Sequence, residues 1–192
     1  MYSVKLGSRF ARLASAEPLM NNLIAKTSTE FIASEEYNLI KSKLFTRLTK
    51  GLGSERYFQM QLSAGYIANL PINAGESTRS IRFNDAFHLS NFKGVSNIGN
   101  NLGLDRFATL GFKVSQMHCP LLENLETEPF AYANFALAPN KYKQDKQGAS
   151  WLGRHLRWST GIGLTCQHKN FALECYYNIM VSAQKNEIRN NF

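Results

Sequence analysis

The sequence predicts an all-β fold, in which about eight strands contribute to an antiparallel transmembrane β-barrel. Apolar residues alternate with polar ones over segments of about ten residues, the length that a tilted membrane strand requires. Charged residues fall mainly on one side of these segments, and no apolar run approaches the roughly 20 residues of a spanning helix. With 44% hydrophobic and 12% aromatic residues, the chain is not a disordered tail.

The alternation recurs in eight segments, and helical periodicity is poor in nearly all of them. In chain order the segments are 2–10, 23–32, 37–48, 56–68, 106–117, 130–137, 157–166 and 171–181. The first three place cations on one side, which we call the polar face. These cations are Lys5, Arg9, Lys26, Lys41 and Lys43.

The fourth and fifth segments alternate more regularly. In 56–68, Phe58, Met60 and Leu62 oppose Gln59 and Gln61. In 106–117, the apolar set is Ala108, Leu110, Phe112 and Val114, and Lys113 lies on the polar face. Segment 130–137 is shorter, and it precedes a long polar stretch that we interpret as a loop.

The last two segments predict a hairpin. If 167–170 is a four-residue loop, Cys166 lies opposite Phe171 and Leu164 lies opposite Leu173. This register puts both apolar sets on one side of the sheet, as an antiparallel ladder requires. Arg157 then lies on the polar face.

The net charge of +8 is compatible with a nucleic-acid surface, a membrane component or a soluble sandwich. A soluble β-sandwich or ligand-binding barrel also has one uncharged face. Lipid selects against charge on alternate residues, because a midplane Arg or Lys costs about 2–4 kcal/mol. Long connections at 69–103 and 138–155 alternate with short ones, which favours the barrel over the sandwich. No nucleic-acid partner is predicted.

No catalytic or metal-binding set is recognisable, so the chain is predicted to be neither an enzyme nor a binder of a metal or cofactor. The four histidines are scattered, and there is no Gly-rich phosphate loop followed by a helix. The three cysteines have neither a CxxC pair nor a zinc-site spacing.

Residues 82–111 contain short motifs in a fixed order. They are Arg82-Phe83, Phe92-Lys93-Gly94-Val95, Ile98-Gly99 and Leu102-Gly103-Leu104-Asp105. Their order and spacing resemble the long sixth surface loop and following strand of the assembly-barrel superfamily, which includes bacterial BAM, chloroplast TOC and mitochondrial SAM barrels. The stretches 157–164 and 171–192 are similar to late strands of the SAM barrel, and 34–71 also aligns.

The resemblance implies that the long loop folds back into the barrel, where a motif arginine contacts acidic residues of the wall. In this chain the motif is Phe92-Lys93-Gly94-Val95. Lys93 stands at the position of the family's arginine, and Val95 stands at the position of an aromatic residue. Lysine keeps the charge but lacks the bidentate fork of arginine. Asp105 is the first candidate partner for this latch and Glu174 the second.

The resemblance also implies which part of a barrel is present. The chain corresponds to the C-terminal half of a sixteen-stranded barrel without its last strand, and no POTRA domain is recognisable. The implied function is insertion of β-barrel precursors into the mitochondrial outer membrane, with a chloroplast or bacterial outer membrane as alternatives. The partners would be the lipid bilayer, precursor polypeptides and other assembly subunits. A degenerate barrel acting as a scaffold in a larger complex is the alternative function.

Overall fold

A computed structural model describes the chain in a set of ranges interrupted by gaps. They are residues 2–13, 22–33, 38–53, 55–70, 86–87, 89, 92–93, 95–96, 104–116, 127–139, 155–168, 171–183 and 188–189. The described elements are β-strands, so the predicted all-β class is confirmed. Within these ranges, no helix has the length and apolar character needed to cross a membrane.

Eight long strands form one sheet and two short ones form a separate ladder. The long strands are β1 (Tyr2–Leu13), β2 (Asn22–Ala33), β3 (Asn38–Gly51), β4 (Arg56–Leu70), β6 (Arg106–Gln116), β7 (Thr127–Leu137), β8 (Leu156–His168) and β9 (Phe171–Ser182). The short ones are β5 (Val95–Ser96) and β10 (Ile188–Arg189). Every predicted segment overlaps a strand of the large sheet, and most of the observed strands extend one to three residues beyond the predicted segment. Residues 37 and 117 of the predicted segments lie outside the described residues.

The sheet is a continuous antiparallel meander in which each strand pairs with the next, in the order β1-β2-β3-β4-β6-β7-β8-β9. Its outermost strands are β1 and β9, and the described residues do not close it into a barrel. The short strand β5 lies in the β4–β6 connection and pairs with β10. The sheet therefore has two edge strands, and the short strand of the β4–β6 connection pairs outside it.

The register gives the sheet two chemically different faces. Across β1, β2 and β3, Arg9 lies opposite Lys26, and Ser28 lies opposite Lys43. The same face continues through Lys113 of β6 and carries Tyr132 of β7. We call the opposite side the apolar face. The face assignments of Lys5, Arg9, Lys26, Lys41, Lys43, Lys113 and Arg157 are thus confirmed.

The predicted register of the last hairpin is wrong by two residues, although its faces are right. Cys166 pairs with Leu173 and Leu164 with Cys175, because β8 continues to His168, which pairs with Phe171. Two residues therefore separate the paired ends of β8 and β9, instead of four. A shift by two preserves the alternation, so the hydrophobic pattern could not exclude it.

An irregularity in the β8–β9 ladder changes the face at the end of β9. The pairing passes from Gly161↔Asn178 to Thr160↔Met180 and omits Ile179. An extra residue of this kind is a β-bulge. As a result Val181 lies opposite Ser159 on the polar face, whereas the strict alternation predicted for 171–181 would place it with Tyr177 on the apolar face.

Parts of the β4–β6 connection fold onto the polar face and build a small core. Phe87 and Leu104 exchange two backbone hydrogen bonds of 2.9 Å, and Phe87 meets the ring of Phe107 edge-on at 5.0 Å. The core consists of Ile32, Leu39, Ile67, Phe87, Leu104, Phe107 and Ala138. The part of the connection that the structure describes therefore packs against the polar face of the sheet.

Candidate latch site on the polar face

Lys93 of the β4–β6 connection reaches across the polar face to strands β7 and β9. Its ammonium group forms an ion pair with the Glu174 carboxylate of β9. The same nitrogen lies over three rings, at 4.7 Å from Phe130, 5.3 Å from Tyr132 and 4.7 Å from Tyr176. We call this group of five residues the latch site. It combines a carboxylate with an aromatic cage, and each cation–π contact typically contributes about 0.5–2 kcal/mol.

Two glycines of β8 make room for the cage. A Cβ atom on Gly161 would lie 2.8 Å from the Tyr132 hydroxyl, and one on Gly163 would lie 2.4 Å from the Phe130 ring. Both would also lie within 2.6 Å of a backbone carbonyl of β9. The GIG sequence of β8 is therefore explained by rings of β7 and carbonyls of β9 that lie close to its backbone.

Hydrogen bonds fix the latch site to the sheet. The Ser159 hydroxyl, which is 1% exposed, donates to the backbone carbonyl of Lys93 at 2.6 Å. The Tyr132 hydroxyl donates to the side-chain carbonyl of Asn178, which is also buried. These bonds position the backbone of the connection and one wall of the cage, independently of the ion pair.

A second cation adjoins the cage from β6. The Lys113 ammonium lies 4.3 Å from the centre of the Phe130 ring and 3.4 Å from the Glu128 carboxylate. Tyr57 of β4 donates its hydroxyl hydrogen to the same carboxylate. The two lysines thus share a ring, and each has its own acid.

The electrostatics of Lys93 reflect this partly buried position. Burial lowers the pKa of the Lys93 ammonium, and the charge of Lys113 acts in the same direction. Glu174 opposes both effects through a hydrogen bond and its charge. The acid therefore supports the charged form of Lys93 at this position.

The structure brings only some of the predicted site residues together. Of the two candidate partners of Lys93, it places Glu174 at the ammonium group. Asp105 lies at the start of β6, where its backbone carbonyl accepts a 2.7 Å hydrogen bond from Ile67. Phe92 packs against the core, and Val95 pairs through its backbone with Arg189.

Other predicted motif residues lie outside the described residues. They are Gly94, Arg82, Phe83, Ile98, Gly99, Leu102 and Gly103. The three cage rings were not among the predicted site residues, because alternation along β7 and β9 gives Phe130, Tyr132 and Tyr176 a face but no role. The paired glycines of β8 were the available indication, since glycine in a strand often marks a close approach.

Beside the latch site is a cavity of about 450 Å³ on the polar face. Its lining includes Lys43, Gln59, Gln61, Lys113 and Glu174. No group of three His, Cys, Asp or Glu residues suited to a metal ion occurs among the described residues. The arrangement is suited to holding a loop in place by charge and stacking.

Comparison of the chain with protein-family models and with curated proteins finds no match. The resemblance to the assembly-barrel superfamily, and the function that it implies, therefore stay predictions.

Proposed function

We propose that the chain is part of a transmembrane β-barrel that inserts and assembles β-barrel precursors in the mitochondrial outer membrane. The observation that carries the proposal is the apolar face. Fifteen of its large hydrophobic side chains are at least 36% exposed. They are Val4, Leu6, Phe10, Phe31, Leu44, Leu62, Tyr66, Leu70, Val114, Phe135, Ile162, Leu164, Leu173, Tyr177 and Met180. A patch of this extent marks an interaction surface, and a lipid bilayer covers it without a second sheet.

The charges on the apolar face support lipid contact. Among the described residues, only four lie on this face, and all are within two residues of a strand end. They are Arg12 of β1, Lys50 of β3, Arg56 of β4 and Arg106 of β6. The middle of each strand is free of charge on this side, where a cation would cost about 2–4 kcal/mol in lipid.

The connections have the asymmetry of outer-membrane barrels. The two longest, 71–105 and 138–155, follow β4 and β7. These strands run in the same direction, because each pairs antiparallel with β6. Both long connections therefore leave the same edge of the sheet, which we call the loop edge. Outer-membrane barrels likewise have long loops on one side and short turns on the other.

The edge strands of the described sheet are compatible with the proposed insertion activity. There β1 and β9 each pair on one side, and an unpaired strand edge can template an incoming strand through backbone hydrogen bonds. Strand addition of this kind needs no cofactor or covalent chemistry. The latch site would keep the connection on the lumen side, away from the edges.

Membrane contact is tested with adjacent residues on opposite faces. Leu62 lies on the apolar face and Gln61 on the polar face in the middle of β4. In isolated membranes, a water-soluble maleimide should label Gln61→Cys and leave Leu62→Cys unlabelled until detergent is added. Because both lie in one strand, local folding is the same for the pair. Equal labelling without detergent would contradict a lipid-facing sheet and favour the soluble sandwich.

Insertion activity is tested with three leucines that share the apolar face. Leu6 of β1 and Leu173 of β9 are at the sheet edges, whereas Leu62 is central. A photo-crosslinking amino acid at either edge should capture a radiolabelled barrel precursor during its import, and the central one should not. Capture of a resident subunit at the edges, independent of import, would identify the scaffold function instead. No capture at either edge would contradict the insertion proposal.

A further inference from the structure

The apolar face contains a groove of about 860 Å³ over β7. Its floor is formed by the small residues Pro129 and Ala131. On one side it is bordered by Val114 of β6, and on the other by Ile162 and Leu164 of β8. The cross-strand pairs Val114↔Ala131↔Ile162 place large side chains directly beside the small one. The groove therefore results from the small side chains of β7 lying between the larger side chains of β6 and β8 in a regular sheet.

The apolar face of β7 has a row of small residues that continues beyond the groove. Ala133 follows Pro129 and Ala131 on this face, between Phe112 and Thr160. A single acyl chain lying along this row would replace the missing side-chain volume.

The groove has a cation at one end only. Arg56 lines it at the edge opposite the loop edge, next to its cross-strand partner Gln116. Arg12 and Lys50 lie at the same edge of the sheet, and no carboxylate occurs on the apolar face among the described residues. Guanidinium groups bind phosphate through parallel hydrogen bonds, so this end of the groove is complementary to an anionic headgroup.

We propose that the groove over β7 binds one acyl chain of an anionic glycerophospholipid, whose phosphate is bound by Arg56. The inference rests on the membrane location proposed above and adds a lipid partner to it. The lipid belongs to the leaflet opposite the loop edge, since Arg56 is at the start of β4 and the loop edge is at its end. Arg106 of β6 is on the other edge and is the matched control.

The test uses native mass spectrometry of the purified protein in detergent with equimolar phosphatidylglycerol and phosphatidylcholine. The unmodified protein should retain phosphatidylglycerol preferentially. Arg56→Gln should reduce that preference about fivefold, as expected for one cation near a charged surface. Arg106→Gln should leave it unchanged. Ala131→Trp, which fills the exposed floor of the groove, should reduce retention of both lipids.

Three results would overturn the inference. The first is equal retention of the two lipids by the unmodified protein. The second is equal effects of Arg56→Gln and Arg106→Gln, which would indicate a general charge effect. The third is unchanged retention in Ala131→Trp. Any of these, with Leu62→Cys still protected from maleimide, refutes the lipid site alone. Labelling of Leu62→Cys refutes the membrane location and the lipid site together.

Discussion

The two ends of the sheet use the polar face in opposite ways. On β1 the side chains of this face, including Lys5 and Arg9, are exposed. On β7 and β8 the same face carries Phe130, Tyr132 and Arg157, which are 4%, 5% and 1% exposed. The alternation along the strands is the same at both ends. The difference comes from the β4–β6 connection, whose described residues cover the second region.

The charge balance differs as well. Strands β1, β2 and β3 carry six cations on the polar face, Lys5, Arg9, Lys26, Lys41, Lys43 and Arg47, and one acid, Glu30. Around the latch site, Lys93 and Lys113 are each paired with an acid. The second region is thus held by packing and pairing within the chain. We expect substitutions there to have larger effects than the same substitutions in β1 and β2.

The largest expected effect is that of adding a single methyl group to β8. In Gly161→Ala the new Cβ would lie 2.2 Å from the Tyr177 carbonyl and against the Tyr132 ring, so the β8–β9 ladder must shift. We expect a loss of about 3 kcal/mol in the free energy of unfolding, at the upper end for overpacking. Urea titration in detergent micelles, followed by tryptophan fluorescence, measures it.

The matched control is the same substitution in β1. A Cβ on Gly7 would meet only the Thr27 carbonyl, at 3.4 Å. Gly7→Ala should therefore change the unfolding free energy by less than about 0.5 kcal/mol. If the two variants are equally stable, the contrast between the two regions does not exist.

A second comparison uses two arginines of the polar face. The Arg157 guanidinium donates to the carbonyls of Ala138 and His155, at 2.7 and 2.6 Å. Arg157→Gln removes these bonds inside a buried site, so we expect a cost of about 2 kcal/mol. Arg9→Gln, at an exposed position, should be neutral in the same urea titration. A neutral Arg157→Gln would show that its carbonyl partners are readily satisfied by other groups.

The ion pair of the latch site is tested by charge reversal. Lys93→Glu and Glu174→Lys should each destabilise the protein, and the double variant should recover part of the loss. The coupling energy should be about 1 kcal/mol, because the Glu174 side chain is 42% exposed and solvent screens the pair. Combining Lys93→Glu with Asp105→Lys should give no recovery. If stability recovers with Asp105→Lys and not with Glu174→Lys, the partner of Lys93 is Asp105 and the proposed ion pair with Glu174 is wrong.

The cross-strand pair of the exposed Lys5 and the half-buried Glu30 is the control for this cycle. Its two residues lie directly opposite each other in β1 and β2, without the ring contacts of the latch site. The same double reversal there should give a coupling well below that of Lys93 and Glu174. Equal couplings would mean that the aromatic cage adds nothing to the ion pair.

The strands and their faces could be predicted because side chains alternate strictly along a strand. The register of the last hairpin could not, since a shift from Cys166↔Phe171 to Cys166↔Leu173 leaves every residue on its face. The bulge at Thr160/Gly161 was also beyond prediction, because it reverses the parity of Val181 without a sequence pattern of its own. Local alternation fixes the side on which a residue lies, but not the residue opposite.

The latch site was predictable only in part, for a similar reason. The resemblance singled out Lys93, and the sequence offered Asp105 and Glu174 as its candidate partners. The sequence could not rank Glu174 before Asp105. Glu174 lies 81 residues from Lys93, in the last strand of the sheet, and nothing in the sequence brings the two together. Contacts between a long connection and distant strands depend on where that connection folds, and the alternation contains no information on this.

The smallest expected effect restores the arginine that the resemblance implies at position 93. In Lys93→Arg, a planar guanidinium can stack on the Phe130 and Tyr176 rings and bind Glu174 through two parallel hydrogen bonds. The adjacent cavity of about 450 Å³ leaves room for the larger group. We expect a gain of about 0.5–1 kcal/mol in the unfolding free energy, whereas Lys5→Arg in β1 should be neutral. A loss of stability in Lys93→Arg would mean that the aromatic cage accommodates the ammonium group of lysine better than a guanidinium group.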